Sequence, residues 1–283
     1  MINVLITGAT GNVGSAIVRN LDENTDLSVW KASYKRSLAT DELFFDFNDL
    51  PKSKESLKYV DVLFLLRPPK LADIKKYFSP LIEACREKNV KHIVFLSVQG
   101  VEDHAIIPHA KIEKLILSSG IYYTFIRPSY FMQNLTTTLK EDIRQKSLIY
   151  LPAGRAKFLW IDANDVGKAI AVVLQNTSEH RQKTYVITGA QLFSFDAVAT
   201  MMSQILGKKI QYKSPNLLNF FVQKSKEGVP SGLIFVMMML HVIPRFEKEP
   251  PVVADFITLT GQQPNTLENF IQTYKNQWLN EQL

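Results

Sequence analysis

Gly8, Gly11 and Gly14 recur at a spacing of three directly after an apolar run at 2–6 and Thr7. Ala16, Ile17 and Leu21 then follow helical spacing, so the glycine turn opens a helix. The first main-chain N–H groups of such a helix have no internal partner and carry the positive end of its dipole, which is where a pyrophosphate binds. Gly8 can take a backbone angle that a Cβ disfavours, Gly11 lets a ligand approach the main chain, and Gly14 lets helix and strand pack closely. Glycine spacing alone also fits an ordinary strand-to-helix turn. The strand before it and the helix after it favour a phosphate cradle.

A second chemical signal ends the strand-like segment 27–34, about 20 residues beyond the glycines. An acid there holds a ribose 2′-hydroxyl, whereas cations accept a 2′-phosphate. The tip reads Ser33-Tyr34-Lys35-Arg36-Ser37, with no Asp or Glu. Lys35 and Arg36 therefore predict a preference for NADP(H), with NAD(H) as the lesser alternative; the plain reading is a charged strand end.

These groups need a sheet to position them. Segments 43–46, 60–66, 92–97 and 123–126 are short apolar runs, and the run at 60–66 is continuous, as in a strand buried on both faces. The chain leaves the sheet at Arg67-Pro68-Pro69, because prolines cannot continue the ladder. Helical patterns alternate with the strands. One is capped by Ser79 with Pro80 first inside, another runs over 112–117 to Gly120, and a third is capped by Asn164 or Asp165. A short strand at 185–188 and a helix from Ser194 to Gly207 follow. This alternation predicts an α/β fold with a doubly wound parallel sheet of the Rossmann type in residues 1–189. Residues 190–283 make a smaller, mostly helical substrate-side lobe rather than an independent domain. Its last helix, from Thr266, carries Leu267, Phe270, Ile271, Tyr274 and Trp278 as docking groups.

The composition, 46% hydrophobic and 21% charged over 283 residues, is that of a globular chain with room for a large core. The net charge is +6, but the cations are dispersed and no recognition helix or aromatic-basic platform stands out, so nucleic-acid binding is not expected. The one cysteine, Cys85, excludes an internal disulfide and sits at an apolar helical position, which predicts a buried, inert thiol. The first strand starts at residue 2, leaving no room for a signal peptide, and a cytoplasmic location is expected. The most apolar run, 233–240, ends at His241 and Pro244, too short for a membrane span, and reads as a buried helix or pocket wall. No metal-ligating cluster is expected.

TGATGNVG (7–14), FLLRPP (64–69), HIVFLSVQGVE (92–102), PHAKIEKLILSSGIYYTFIRPSYFMQNL (108–135) and FLWIDANDVGKAIA (158–171) resemble the NmrA-like family of atypical short-chain dehydrogenases/reductases. The resemblance runs through 185–195 and thins beyond about residue 212. That family includes NAD(P)H-dependent quinone and isoflavone-type reductases, and also proteins that bind the dinucleotide as redox sensors. The resemblance puts Gly8, Thr10, Gly11, Asn12, Val13 and Gly14 around the pyrophosphate and Lys35 and Arg36 at the adenosine ribose. It puts Asp46 and Phe47 at the adenine, Arg67 and Pro68 on the ribose side, and Pro128, Ser129, Tyr130 and Phe131 beside the nicotinamide. For Asp46 a turn-forming carboxylate is an equal reading.

Typical dehydrogenases of this kind use a serine and a Tyr-x-x-x-Lys pair. None of the ten tyrosines here has a lysine four residues later. Ser97 stands where the family's serine would be, or is an ordinary strand-end hydroxyl. His109 occupies the place where reductase relatives carry lysine, which puts Ala105 in the tyrosine position; anchoring on Lys111 instead puts Ile107 there. His109 could stabilise a developing oxyanion, pair with Glu113 four residues on, or touch the cofactor ribose. The expected function is an NADPH-dependent oxidoreductase acting on a small quinone-like or aromatic acceptor, with Tyr130, Phe131, Met132, Phe158 and Trp160 available to line its pocket. The alternative is a non-catalytic NADP(H) sensor that regulates a partner protein. The oligomeric state has no sequence signal.

Overall fold

The computed structural model describes residues 1–21, 26–35 and 39–279. The strands are β1 (Ile2–Ile6), β2 (Leu27–Ser33), β3 (Glu42–Phe44), β4 (Val62–Leu66), β5 (His92–Leu96), β6 (Tyr122–Pro128), β7 (Tyr130–Phe131), β8 (Leu148–Tyr150), β9 (Lys157–Ile161), β10 (Lys183–Ile187), β11 (Leu192–Ser194) and β12 (Gln211–Lys213). The α-helices are α1 (Asn12–Asn20), α2 (Leu50–Leu57), α3 (Ile74–Glu87), α4 (Pro108–Ser119), α5 (Lys140–Lys146), α6 (Ala163–Gln175), α7 (Phe195–Leu206), α8 (Leu217–Lys226), α9 (Ser231–Val242), α10 (Asp255–Thr260) and α11 (Leu267–Tyr274).

Two compact units form. The first holds Met1–Pro128, Ala163–Ile187 and Ala254–Gln262; the second holds Ser129–Asp162, Thr188–Val253 and Gln263–Leu283. The expected lobe at 190–283 supplies most of the second unit, which also takes in Ser129–Asp162.

A seven-stranded sheet in the order β10-β6-β5-β4-β1-β2-β3 organises the first unit, and every pair in it is parallel. Chain direction across the sheet reverses between β1 and β4, the switch point outside whose carboxyl ends ligands bind in such folds. The central strands β4 and β5 are buried on both faces, which is why they read as continuous apolar runs. On one face Leu5, Leu63, Leu65, Ile93, Phe95 and Phe125 pack with Phe78, Leu81 and Ile82 of α3 and Ile112 and Ile116 of α4. Cys85 is fully buried in this layer, as expected, and desolvation pushes its thiol up to about 12.

In the second unit, β11-β9-β7 and β12-β8 form two small sheets over an aromatic core that includes Tyr130, Phe158, Trp160, Phe195, Phe220, Phe270 and Trp278. Ser194 caps α7 by accepting from Ala197 N–H, and Gly207 ends it in the left-handed conformation, as the sequence predicts. Thr266 caps α11 in the same way, and the Trp278 indole donates to Leu135 O at 2.8 Å.

Two expectations change. The helix assigned a Ser79 cap begins six residues earlier, at Ile74, where Asp73 accepts from Lys76 N–H and Pro80 lies in the helix interior. The run at 233–240 is helical, but only Ile234, Met237 and His241 of α9 are buried; Met238 is partly buried against the same core, while Phe235, Val236, Met239 and Leu240 are exposed. A helix that is apolar all round has no sequence signal for which side packs.

Candidate functional site

The glycine turn stands at the carboxyl end of β1, beside the switch point. Thr7 fixes it there: its Oγ1 donates to Phe64 O at 2.9 Å and accepts from Leu66 N–H at 2.8 Å, clamping β1 to β4. Sequence reading passed over this threonine, whose only signal was its place at the end of the apolar run. Gly8 has φ 66°, in the left-handed region, and Gly11 N–H returns to Gly8 O at 2.9 Å. A Cβ on Gly14 would lie 2.2 Å from Gly8 O and 2.7 Å from Ala9 Cα, so only glycine lets α1 start this close to the strand.

The start of α1 is open. Gly11 is its N-cap, no side chain caps it, and its first turn carries no acid. Gly8, Thr10, Gly11 and Asn12 are exposed, while Val13 and Gly14 are buried beneath them. Unpaired N–H groups at an uncapped, acid-free helix start beside a left-handed glycine fit a pyrophosphate.

Lys35 lies exposed just past β2, with its N–H directed at Ser33 Oγ at 3.4 Å; Arg36 lies outside the described residues. Asp46 Oδ1 accepts from the main-chain and side-chain nitrogens of Asn48 at 2.9 and 3.2 Å, and Ser53 Oγ bridges to its main chain. The carboxylate thus does form a turn. Phe47 packs edge-on to Phe45 and tilted against Phe78, which seats it on the core.

Arg67 follows β4. Its Nη1 donates to Pro68 O, Pro69 O and Leu71 O at 3.2–3.3 Å, folding the proline loop about itself, and its Nε is buried without a partner. Ser97 follows β5, one position beyond the paired Leu66 and Leu96; its hydroxyl is also buried without a partner. Two orphaned buried polar groups on neighbouring strand ends are costly unless a ligand completes them.

His109, in the first turn of α4, is half-buried and lies against Phe95, with centroids 6.1 Å apart. Burial first, and the charge of Arg67 second, lower its pKa to about 3. Its pairing with Glu113 does not occur, because both Glu113 oxygens accept from Arg127 at 2.7 and 3.0 Å. Nor can an imidazole held neutral act as an acid near pH 7. It can still donate one N–H.

Pro128 closes the first unit, its carbonyl accepting from Gln99 N–H, and Ser129, Tyr130 and Phe131 open the second. Within the second unit the Tyr130 hydroxyl bonds His241 Nε2 at 3.0 Å, and the Tyr130 ring packs on Phe158, Trp160 and Phe195. Tyr130, Met132, Phe158 and Trp160 are therefore core groups rather than an open lining: parallel pairing of β7 with β9 sets Tyr130 beside Trp160 and closes the cluster. Phe131 is partly exposed, and the Ser129 hydroxyl is buried without a partner.

Strand order, switch point and glycine turn define a Rossmann-type α/β protein. Comparison narrows the class: the NmrA-like family model matches residues 42–243, and the chain belongs to that family. It is 28% identical to the prestalk A differentiation protein A of Dictyostelium discoideum over 97% of this chain and 93% of that one. It is 27% identical to the NAD(P)H azoreductase of Xenophilus azovorans, over 96% and 97%. A quinone oxidoreductase from Escherichia coli, solved with NADPH, shares the fold with a TM-score of 0.83 at 19% identity, over 96% and 100%. Among the described residues, no helix is long and apolar enough to cross a membrane.

Proposed function

We propose that this protein is an NADPH-dependent oxidoreductase that reduces a small quinone-like or aromatic acceptor. The observation that carries the reading is the open cradle at Gly8–Gly14 beside a buried Arg67 Nε and Ser97 hydroxyl that lack protein partners. Full-length similarity to an NAD(P)H azoreductase supports it.

The first turn of α1 and residues Gly8, Thr10, Gly11, Asn12, Val13 and Gly14 hold the pyrophosphate. Lys35, with Arg36, neutralises a 2′-phosphate, and Asp46 and Phe47 border the adenine. Arg67 and Pro68 serve the ribose, and Ser97 and His109 the nicotinamide end. When bound, the reduced nicotinamide supplies hydride. His109, held neutral, donates its N–H to the acceptor oxygen as negative charge develops there, and solvent supplies the proton, so no phenol is needed. A buried reduced cysteine suits the reducing, cytoplasmic setting of this reading.

NADPH oxidation against a panel of quinones and azo dyes tests it. Turnover with at least one acceptor is expected, about tenfold lower kcat/KM in His109→Ala, and no ionisation near pH 6.5 in the wild-type profile. Tight NADPH binding with no turnover across the panel would instead support a redox sensor.

A further inference from the structure

From Gly228 to Pro244 the chain carries no Asp, Glu, Lys or Arg. Twelve of these residues form α9, about 18 Å long. One side of it is anchored: Ile234 and Met237 enter the core, and His241 receives the Tyr130 hydroxyl on Nε2 while its Nδ1–H donates to Met237 O at 2.6 Å. The rest is bare. Leu233, Val236 and Leu240, spaced three and four apart, are 42–48% exposed, flanked by Phe235 at 60% and Met239 at 41%. Leu218 and Val222 on α8, which packs against α9, are exposed as well.

Together these side chains present on the order of 600 Å² of apolar surface, at the upper limit for an ordinary monomer and most of the ~800 Å² that each partner contributes to a standard interface. We infer that α9 is a dimer interface, and that its occupant is α9 of a second copy of this chain. The 3-4 spacing of Leu233, Val236 and Leu240 is the seam along which two helices interlock. An isologous contact needs only self-complementarity, which an uncharged row of branched and flexible apolar side chains has. A face with no charge gives a partner of opposite charge nothing to recognise. An interfacial membrane helix carries a charged polar face, and α9 has none: its other side, Ile234, Met237 and His241, is packed into the core.

Sedimentation equilibrium of the full chain tests this. The wild type should dimerise in the micromolar range. Val236→Glu should be monomeric, with unchanged NADPH affinity and melting temperature, while Tyr59→Glu, at an exposed aromatic of the other unit, should still dimerise. Val236→Cys should cross-link the dimer on oxidation, since the native Cys85 is buried. A monomer at 100 µM, or a dimer that survives Val236→Glu, would overturn the assignment. Raised acceptor KM in a monomeric Val236→Glu background whose wild type is also monomeric would transfer the face to the acceptor, and co-sedimentation with neutral or anionic vesicles would transfer it to a membrane.

Discussion

His92 shows how burial sets the behaviour of the histidines. Its Nε2 bonds Thr124 Oγ1 at 2.8 Å, and that hydroxyl donates onward to His180 O, so the ring keeps its proton on Nε2 and buries a bare Nδ1. Desolvation first, then the charges of Arg181 and His180, lower its pKa to about 4. Burial likewise brings His241 to about 4 and lowers His180, alongside His109 at about 3. Unfolded, each would take up a proton near pH 6.5. Above that pH both states are neutral and the histidines contribute no pH dependence; below it the unfolded chain binds protons that the folded chain refuses, so stability falls. Denaturant midpoints should be level from pH 7 to 8, drop steadily from about pH 6.5 towards 4, and drop less steeply in His241→Gln. A midpoint unchanged down to pH 4.5 would refute this.

Among the elements, α1 is placed by glycines on two sides. Gly14 admits it to the end of β1, and Gly167 on α6 admits it from the other side, since a Cβ there would lie 2.4 Å from Ala16 Cβ and 2.7 Å from Ala16 C. Alanine at either position must move the helix. Gly167→Ala should cost roughly 1–3 kcal/mol of stability by overpacking. Gly14→Ala, which also displaces the N–H groups, should in addition weaken NADPH binding at least tenfold. Thermal melts and calorimetry check both, and wild-type values for either variant would contradict the packing described. Gly14 was legible because its spacing is local. Gly167 was not, because its reason lies 151 residues away in Ala16. The same divide holds elsewhere: β1, the Ser194 cap and the Gly207 stop follow from neighbouring residues and were read correctly. The start of α3 was misplaced because Pro80, usually a first-turn residue, outweighed Asp73. The Tyr130–His241 bond and the Arg127 bridges to Glu102 and Glu113 join groups far apart in sequence and carry no local pattern.

Taken as a whole, the molecule divides its sequence unevenly between two units. The parallel sheet was legible from runs buried on both faces, whereas the return of Ala163–Ile187 and Ala254–Gln262 to the first unit depends on which segments find each other in space. The net charge is +6, and Lys35 stands exposed just past β2, where a 2′-phosphate would need a cation. The central claim, that the glycine cradle and this tip bind NADP(H), is tested most directly by calorimetric titration of the full chain with NADPH and with NADH. NADPH should bind about tenfold more tightly, and the difference should vanish or invert in Lys35→Asp. Equal affinity for the two dinucleotides in the wild type, or no binding of either, would contradict it.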